Sequence, residues 1–252
     1  LGVGHIGGSL SIVEVLVALY YKHMNVDPSN PKMEGRDRLI VSKGHAGPAV
    51  YATLANKGFF PKEWLKTLNK SGTNLPSHCD MIRTPGIDMT TGSLGQGFSC
   101  AMGIAYASKL SKDNATIYTI IGDGESQEGQ IWEAMMFAAS KKLDNLIAFL
   151  DLNRFQIDGA VEEVNGIDPF DLKASSFNWN VVVCKDGNDI DQVDACIQYA
   201  KTLKNEKPTM IILNTLKGCG SEYVYSKKAA NHNLTLKPEE TELIMKQIRE
   251  GE

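Results

Sequence analysis

Cysteine is sparse and scattered: there are five, at 79, 100, 184, 196 and 219, and no two have CxxC spacing. An odd, dispersed set argues against a disulfide framework or a zinc site and suits a reducing cytoplasm. Basic residues are in deficit, 26 Lys+Arg against 30 Asp+Glu, for a formal net charge of −4. That balance gives no support to nucleic-acid binding or to a basic, membrane-facing surface. No apolar run approaches the roughly 18–20 residues that cross a bilayer. There is no internal repeat, low-complexity tract or Pro/Ser-rich linker, and no basic start or signal-peptide core. The opening LGVGHIGGSLS reads as a continuation, with a helix expected upstream of Leu1.

What is present is an alternation of apolar strands and helical patterns. Strand candidates are 39–42, 115–121, 146–152, 181–184 and 209–213, and helix-like stretches lie near 9–24, 46–57, 95–110, 127–142, 189–203 and 238–249. TIYTII, LIAFLDL and TMIIL are nearly continuous apolar runs, as in a parallel sheet covered on both faces. The pattern predicts one doubly wound, mostly parallel α/β domain over 1–252. Two long irregular stretches, 70–91 and 153–170, are of the kind that builds sites at strand ends in such folds.

The stretch TIYTIIGDGESQEGQIWEAM (116–135) sets Asp123, Glu125 and Glu128 directly after an apolar strand. Glycines at a strand-turn-helix junction permit a tight turn or a close approach to a ligand, and the free N–H groups of a new helix attract phosphate. Carboxylates at an anion site require a positive group between them. Asn153 follows the next strand, so it and Asp123 span one βαβ unit of 30 residues, which puts both at the same edge of the sheet. A carboxylate, an amide oxygen and a backbone carbonyl from the loop after Asn153 form a hard-oxygen set suited to Mg²⁺ or Ca²⁺ beside a phosphorylated ligand. The bland alternative is a tight turn at 122–124 and a loop cap at Asn153.

Four of the five histidines, His5, His45, His78 and His232, stand beside Gly, Ser or Asn in loop-like context. They lack metal spacing such as HExxH, so proton handling and phosphate contact are the expected roles. His23, at the end of the first helical pattern, reads as structural. TTGSLGQG (90–97) has G-x-x-G-x-G spacing, not the G-x-G-x-x-G dinucleotide fingerprint.

These residues also carry a family resemblance. GDGESQEGQIWEA followed by DLNRFQIDG resembles the thiamin-diphosphate motif, which opens on GDG and closes on Asn about thirty residues later. GHIGGSLS (4–11), DRLIVSKGHAGPAVYATL (37–54), LPSHCDMIRTPGIDMTTGSLGQG (75–97) and KPTMIILNTLKGCG (207–220) narrow the resemblance to the N-terminal, diphosphate-binding domain of transketolase. It is nearest to transketolases split into two subunits. The resemblance implies thiamin diphosphate and Mg²⁺ held by Gly122, Asp123, Gly124, Asn153 and the Phe155 carbonyl. It places His45 and His232 by the diphosphate, with His232 also near the donor sugar. His5 would assist proton transfer, and His78 would contact the donor's terminal hydroxyl. Gly92, Leu94 and Ile157 would line the pyrimidine and thiazolium rings, and Glu128 would lie at a subunit interface. On pattern alone, Leu94 and Ile157 read as core residues and Glu128 as a helix-start carboxylate. The chain departs from the family's Gly-His-Pro with Ser77-His78-Cys79, and His232 is followed by Asn, not Gly.

The implied activity is transfer of a two-carbon ketol unit from a ketose or ketose phosphate to an aldose. The implied partner is a C-terminal subunit that carries the glutamate activating the cofactor, in an A2B2 assembly. Rival readings are a 1-deoxyxylulose-5-phosphate synthase, a 2-oxoacid dehydrogenase α subunit, and a non-catalytic cofactor binder.

Overall fold

The structure, a computed structural model, describes residues 2–251. Its centre is a five-stranded parallel sheet of β1 (Arg38–Val41), β2 (Ile117–Gly122), β3 (Leu146–Leu152), β4 (Asn180–Cys184) and β5 (Thr209–Asn214). The strand order is β1-β2-β3-β5-β4. Every residue of β2 and β3 is buried, which explains the unbroken apolar runs: both faces are covered.

Alternate residues serve opposite layers. Tyr118, Ile120, Ile147, Phe149, Ile211 and Leu213 join one core with Val13–Ala18 (α2), Gly47–Lys57 (α3) and Ile190–Thr202 (α8). Ile117, Ile121, Ala148, Leu150 and Ile212 join the other with Gln96–Ser111 (α4), Gly129–Ser140 (α5) and Phe170–Ser176 (α7). The remaining helices are Ile6–Leu10 (α1), Val161–Asn165 (α6), Glu222–Ser226 (α9) and Pro238–Glu250 (α10). No helix among the described residues is long and apolar enough to cross a membrane.

Two stretches differ from the sequence expectation. The helix expected at 9–24 is broken into α1, α2 and a wide turn at Leu19–His23. Ser9, in the last turn of α1, and Ser11, at the break itself, donate their hydroxyls to the His5 carbonyl at 2.7 Å and to Asp151 at 2.7 Å. Serine side chains with such outlets compete with helix continuation. The irregular 153–170 contains order: a ribbon pairing Phe155–Gln156 with Gly159–Ala160, then α6.

Register places the site. Gly122 of β2 pairs with Asp151 of β3, which pairs with Leu213 of β5. The three chain segments therefore leave the sheet side by side at its carboxyl edge. A separate ribbon pairs Val3 with Thr235 and Gly4 with Leu234, which carries His5 and His232 to the same edge from opposite ends of the chain.

Phe149 is fully buried and stacks on Tyr118 with ring centroids 6.4 Å apart. Phe149→Ala should cost about 3–5 kcal/mol and lower Tm by roughly 10 °C. Phe137→Ala, at a position 37% exposed, should move Tm far less in the same calorimetric scan.

Candidate active site

The carboxyl edge of the sheet opens into a cavity of about 430 Å³. Its wall includes His5, His45, His78, His232, Gly92, Leu94, Gly122, Asp123, Gly124, Glu128, Asn153, Phe155 and Ile157. Every residue singled out from the sequence as a site candidate thus lies on one cavity.

The four imidazoles form a cluster. His5 stands 5.4 Å from His45, 5.5 Å from His78 and 5.4 Å from His232, centroid to centroid, and His45 lies 4.7 Å from His232. His45 sits just past β1, in the turn leading to α3. His78 is held by its backbone: Tyr51 Oη donates to its carbonyl at 2.9 Å, and the next residue, Cys79, donates to Gly44 O at 3.3 Å. The Ser-His-Cys variant therefore still delivers His78 to the cluster. His23 lies elsewhere, buried with Nε2 2.8 Å from Asp194, which fits its structural reading.

The glycine stretch 92–97 serves packing and positioning. Gly95 has φ +81° and its N–H donates to Glu125 Oε1 at 2.8 Å, a left-handed turn that favours glycine. A Cβ on Gly97 would lie 2.8 Å from Ser42 Cα, so only glycine lets α4 start against the end of β1. Gln130 Nε2 donates to the Leu94 carbonyl at 3.0 Å and holds Leu94 at the wall. Ile157 is 64% exposed at the rim, not a core residue. Glu128 is exposed at the N-terminus of α5 and makes no side-chain cap there.

Sequence reasoning missed two buried lysines and the buried Asp151, and it noted Glu125 beside the strand end without giving it a role. Lys43 Nζ pairs with Asp151 at 2.5 Å and donates to Gly8 O at 2.7 Å. Lys217 Nζ donates to the Phe155 carbonyl at 2.8 Å and lies 3.2 Å from His232 Nδ1. Glu125 accepts from Ser42 Oγ, Gly95 N and Gly122 N, tying together β1, the glycine stretch and β2. The available signal was an ionisable residue at or just past the end of an apolar run: Asp151 in LIAFLDL, Lys43 after LIVS and Lys217 after IILNTL.

Charge in the cavity is incompletely balanced. Burial, and then the nearby Asp151 carboxylate, push the Asp123 carboxyl up to about 7. Burial and then Lys43 bring the Lys217 ammonium down to about 8. Burial, followed by Lys217, His5 and Lys43, lowers His232 to about 4. His45 is held well below its ordinary value by burial and Lys43, and His5 is lowered by burial and His78.

The donor set suits a divalent cation. Asp123 already accepts from Gly124 N at 2.8 Å and Arg154 N at 2.5 Å, yet remains hard to ionise. Lys217, already bonded to the Phe155 carbonyl, is the cation nearest this set. A carboxylate, an amide and a backbone carbonyl offer hard oxygens, and a bound cation would stabilise the ionised Asp123.

His232 titrates at about 4 in the folded chain against an ordinary 6.5. Between those values the unfolded chain binds the proton more readily, so its stabilising contribution is present above 6.5 and lost as pH falls towards 4. Asp123 is raised and acts in the opposite sense, so the informative quantity is a difference. From pH 7 to pH 4.5, Tm of the cofactor-free natural chain should fall relative to His232→Asn, read by calorimetry.

The chain matches the family described as transketolase, thiamine diphosphate binding domain, over residues 1–249. It is 57% identical over 239 residues to "6-deoxy-6-sulfo-D-fructose transketolase subunit SqwG" of Clostridium sp. (strain MSTE9), covering 95% of this chain and 86% of that protein. It is 38% identical to one subunit of the apulose-4-phosphate transketolase of Actinobacillus succinogenes, covering 98% of this chain and 88% of the relative. A transketolase from Pichia stipitis, solved with sedoheptulose-7-phosphate, superposes with a TM-score of 0.90 at 32% identity. That match covers 98% of this chain but 38% of the yeast one. The chain belongs to the transketolase family and carries its thiamine diphosphate binding domain, in the form of relatives that are themselves separate subunits.

Proposed function

We propose that the chain holds the diphosphate end of thiamin diphosphate, with Mg²⁺ between Asp123, the Asn153 amide oxygen and the Phe155 carbonyl, in a two-subunit ketol transferase. The observation that carries this reading is the juxtaposition in one cavity of that oxygen set with four imidazoles and the Lys217 ammonium. Thiamin diphosphate supplies the electron sink that lets a ketose carbon–carbon bond break.

The chain's own residues bind and move protons. Lys217, His45 and His232 offer the diphosphate positive or hydrogen-bonding partners, and Gly122 and Gly124 leave the backbone free to approach it. His5 is kept neutral by burial and by its neighbours, so near pH 7 its imidazole is free to take a proton from a donor hydroxyl. His78, beside it, would contact the donor's terminal hydroxyl. Leu94 and Ile157 present apolar surface to the cofactor rings.

Activation of the cofactor is assigned to a partner subunit that supplies a glutamate. Glu239, Glu240 and Glu242 do not line the cavity; Glu240 instead accepts from Tyr223 Oη at 2.6 Å and Lys237 N at 2.7 Å. The naming of the relatives as subunits supports a partner, and an A2B2 assembly is the simplest closed form. Five free cysteines support a reducing cytoplasm. The relative named for 6-deoxy-6-sulfo-D-fructose, at 57% identity, favours a sulfonated ketose as donor over an ordinary ketose phosphate.

Saturated with thiamin diphosphate and Mg²⁺, the isolated chain should show no sustained ketol transfer. Activity with sulfonated and phosphorylated ketoses should appear on mixing with the co-encoded partner, together with a larger species in light scattering. Turnover by the chain alone would overturn the two-subunit reading. In the assembled enzyme, His5→Ala should lower kcat by about 10²- to 10⁴-fold with little change in cofactor affinity. His45→Ala should chiefly weaken the cofactor, and the reverse pattern would exchange these roles.

A further inference from the structure

Asp151 neither lines the cavity nor reaches solvent, yet its carboxylate is the most heavily bonded side chain near the site. It is fully buried and accepts from four side chains. Oδ2 receives Ser11 Oγ at 2.7 Å, Lys43 Nζ at 2.5 Å and Asn153 Nδ2 at 2.8 Å. Oδ1 receives Thr215 Oγ1. These donors come from the junction after α1, the turn after β1, the end of β3 and the turn after β5, so the carboxylate is fixed from four directions.

We infer that Asp151 is the positioning residue of the metal site, setting which end of the Asn153 amide faces the cation. This rests on the metal site proposed above. An ionised carboxylate only accepts hydrogen bonds, whereas a side-chain amide has a donating end and an accepting end. With Nδ2 committed to Asp151, the Asn153 oxygen is turned the other way, towards Phe155 N at 3.2 Å. The reversed amide would oppose oxygen to carboxylate and aim two N–H groups at the metal. Lys43 lets Asp151 remain charged where no water reaches it, since an unpaired buried charge is strongly disfavoured. The alternative is that Asp151 exists only as the partner of Lys43 and has no bearing on Asn153.

Four chains separate these roles by calorimetric titration of Mg²⁺ in the presence of thiamin diphosphate, with circular dichroism to establish folding. Asp151→Asn should weaken Mg²⁺ by about 10- to 100-fold, the usual effect of losing a group that orients a metal ligand. Asn153→Asp should also weaken it, because two carboxylates then face each other. Combining the two exchanges acid and amide, so the amide at 151 again donates to an oxygen ligand at 153, and the pair should recover at least tenfold over Asp151→Asn. If Asp151 only pairs Lys43, the exchange recovers nothing, because position 151 still lacks a charge. Should Asp151→Asn fail to fold, the stranded Lys43 ammonium is removed as well, and Lys43→Met/Asp151→Asn is compared with the same chain carrying Asn153→Asp, which restores the donor–acceptor pair. The inference is overturned if the folded Asp151→Asn chain binds Mg²⁺ within twofold of the natural chain, or if the exchanged pair binds no better than Asp151→Asn. Absence of binding by the natural chain itself would sink the proposed metal site, and this inference with it.

Discussion

The ion pair between Lys43 and Asp151, closed off from solvent at the carboxyl edge of the sheet, is the constraint on which the site depends. A buried charge is tolerated only when paired and fully hydrogen-bonded. Satisfying this one draws together Ser11, Lys43, Asn153 and Thr215. Each of these stands close in sequence to a residue of the cavity. Ser11 follows His5 and Gly8, Lys43 precedes His45, Asn153 precedes Phe155, and Thr215 precedes Lys217. The cost of burying one acid is thus converted into a fixed arrangement of four loops.

Around that node the cavity wall gathers His5, His45, His78, His232, Lys43, Lys217, Asp123 and Glu125. Burial, reinforced by the two lysines, disfavours the protonated forms of His45 and His232, while burial and the nearby Asp151 carboxylate disfavour the ionised form of Asp123. A cavity in which Asp123 resists ionisation and His45 and His232 resist protonation suits a ligand bringing both signs. A divalent cation with a diphosphate is such a ligand. The rigid scaffold supplies the rest: β2, β3 and β5 end in register, so their loops need no long excursion to converge.

Much of this is legible in the residues. The apolar runs 115–121, 146–152 and 209–213 lie within a residue or two of the observed strands because both faces of the sheet are buried, which leaves no polar interruption to blur the boundaries. The first helix reads too long because the pattern of apolar residues continues through the break, while the reason for the break is a hydroxyl bond to Asp151, 140 residues away. Lys43, Asp151 and Lys217, and the inward role of Glu125, are hidden in the sequence for a related reason. A lysine or an acid at a strand end has the same appearance whether it reaches solvent or folds inward.

By itself the sequence determined the sheet, its parallel sense, the spacing of Asp123 and Asn153, and the set of loop histidines. These follow from local pattern: continuous burial, glycine at turns, and a crossover of fixed hand. Only the tertiary structure decided that His5 and His232, 227 positions apart, stand 5.4 Å from each other. It also decided that two lysines share the acids' charge, and which end of the Asn153 amide faces the cavity. Those outcomes depend on contacts between segments distant in the chain, where burial removes water as a partner and every charge must find its complement within the fold.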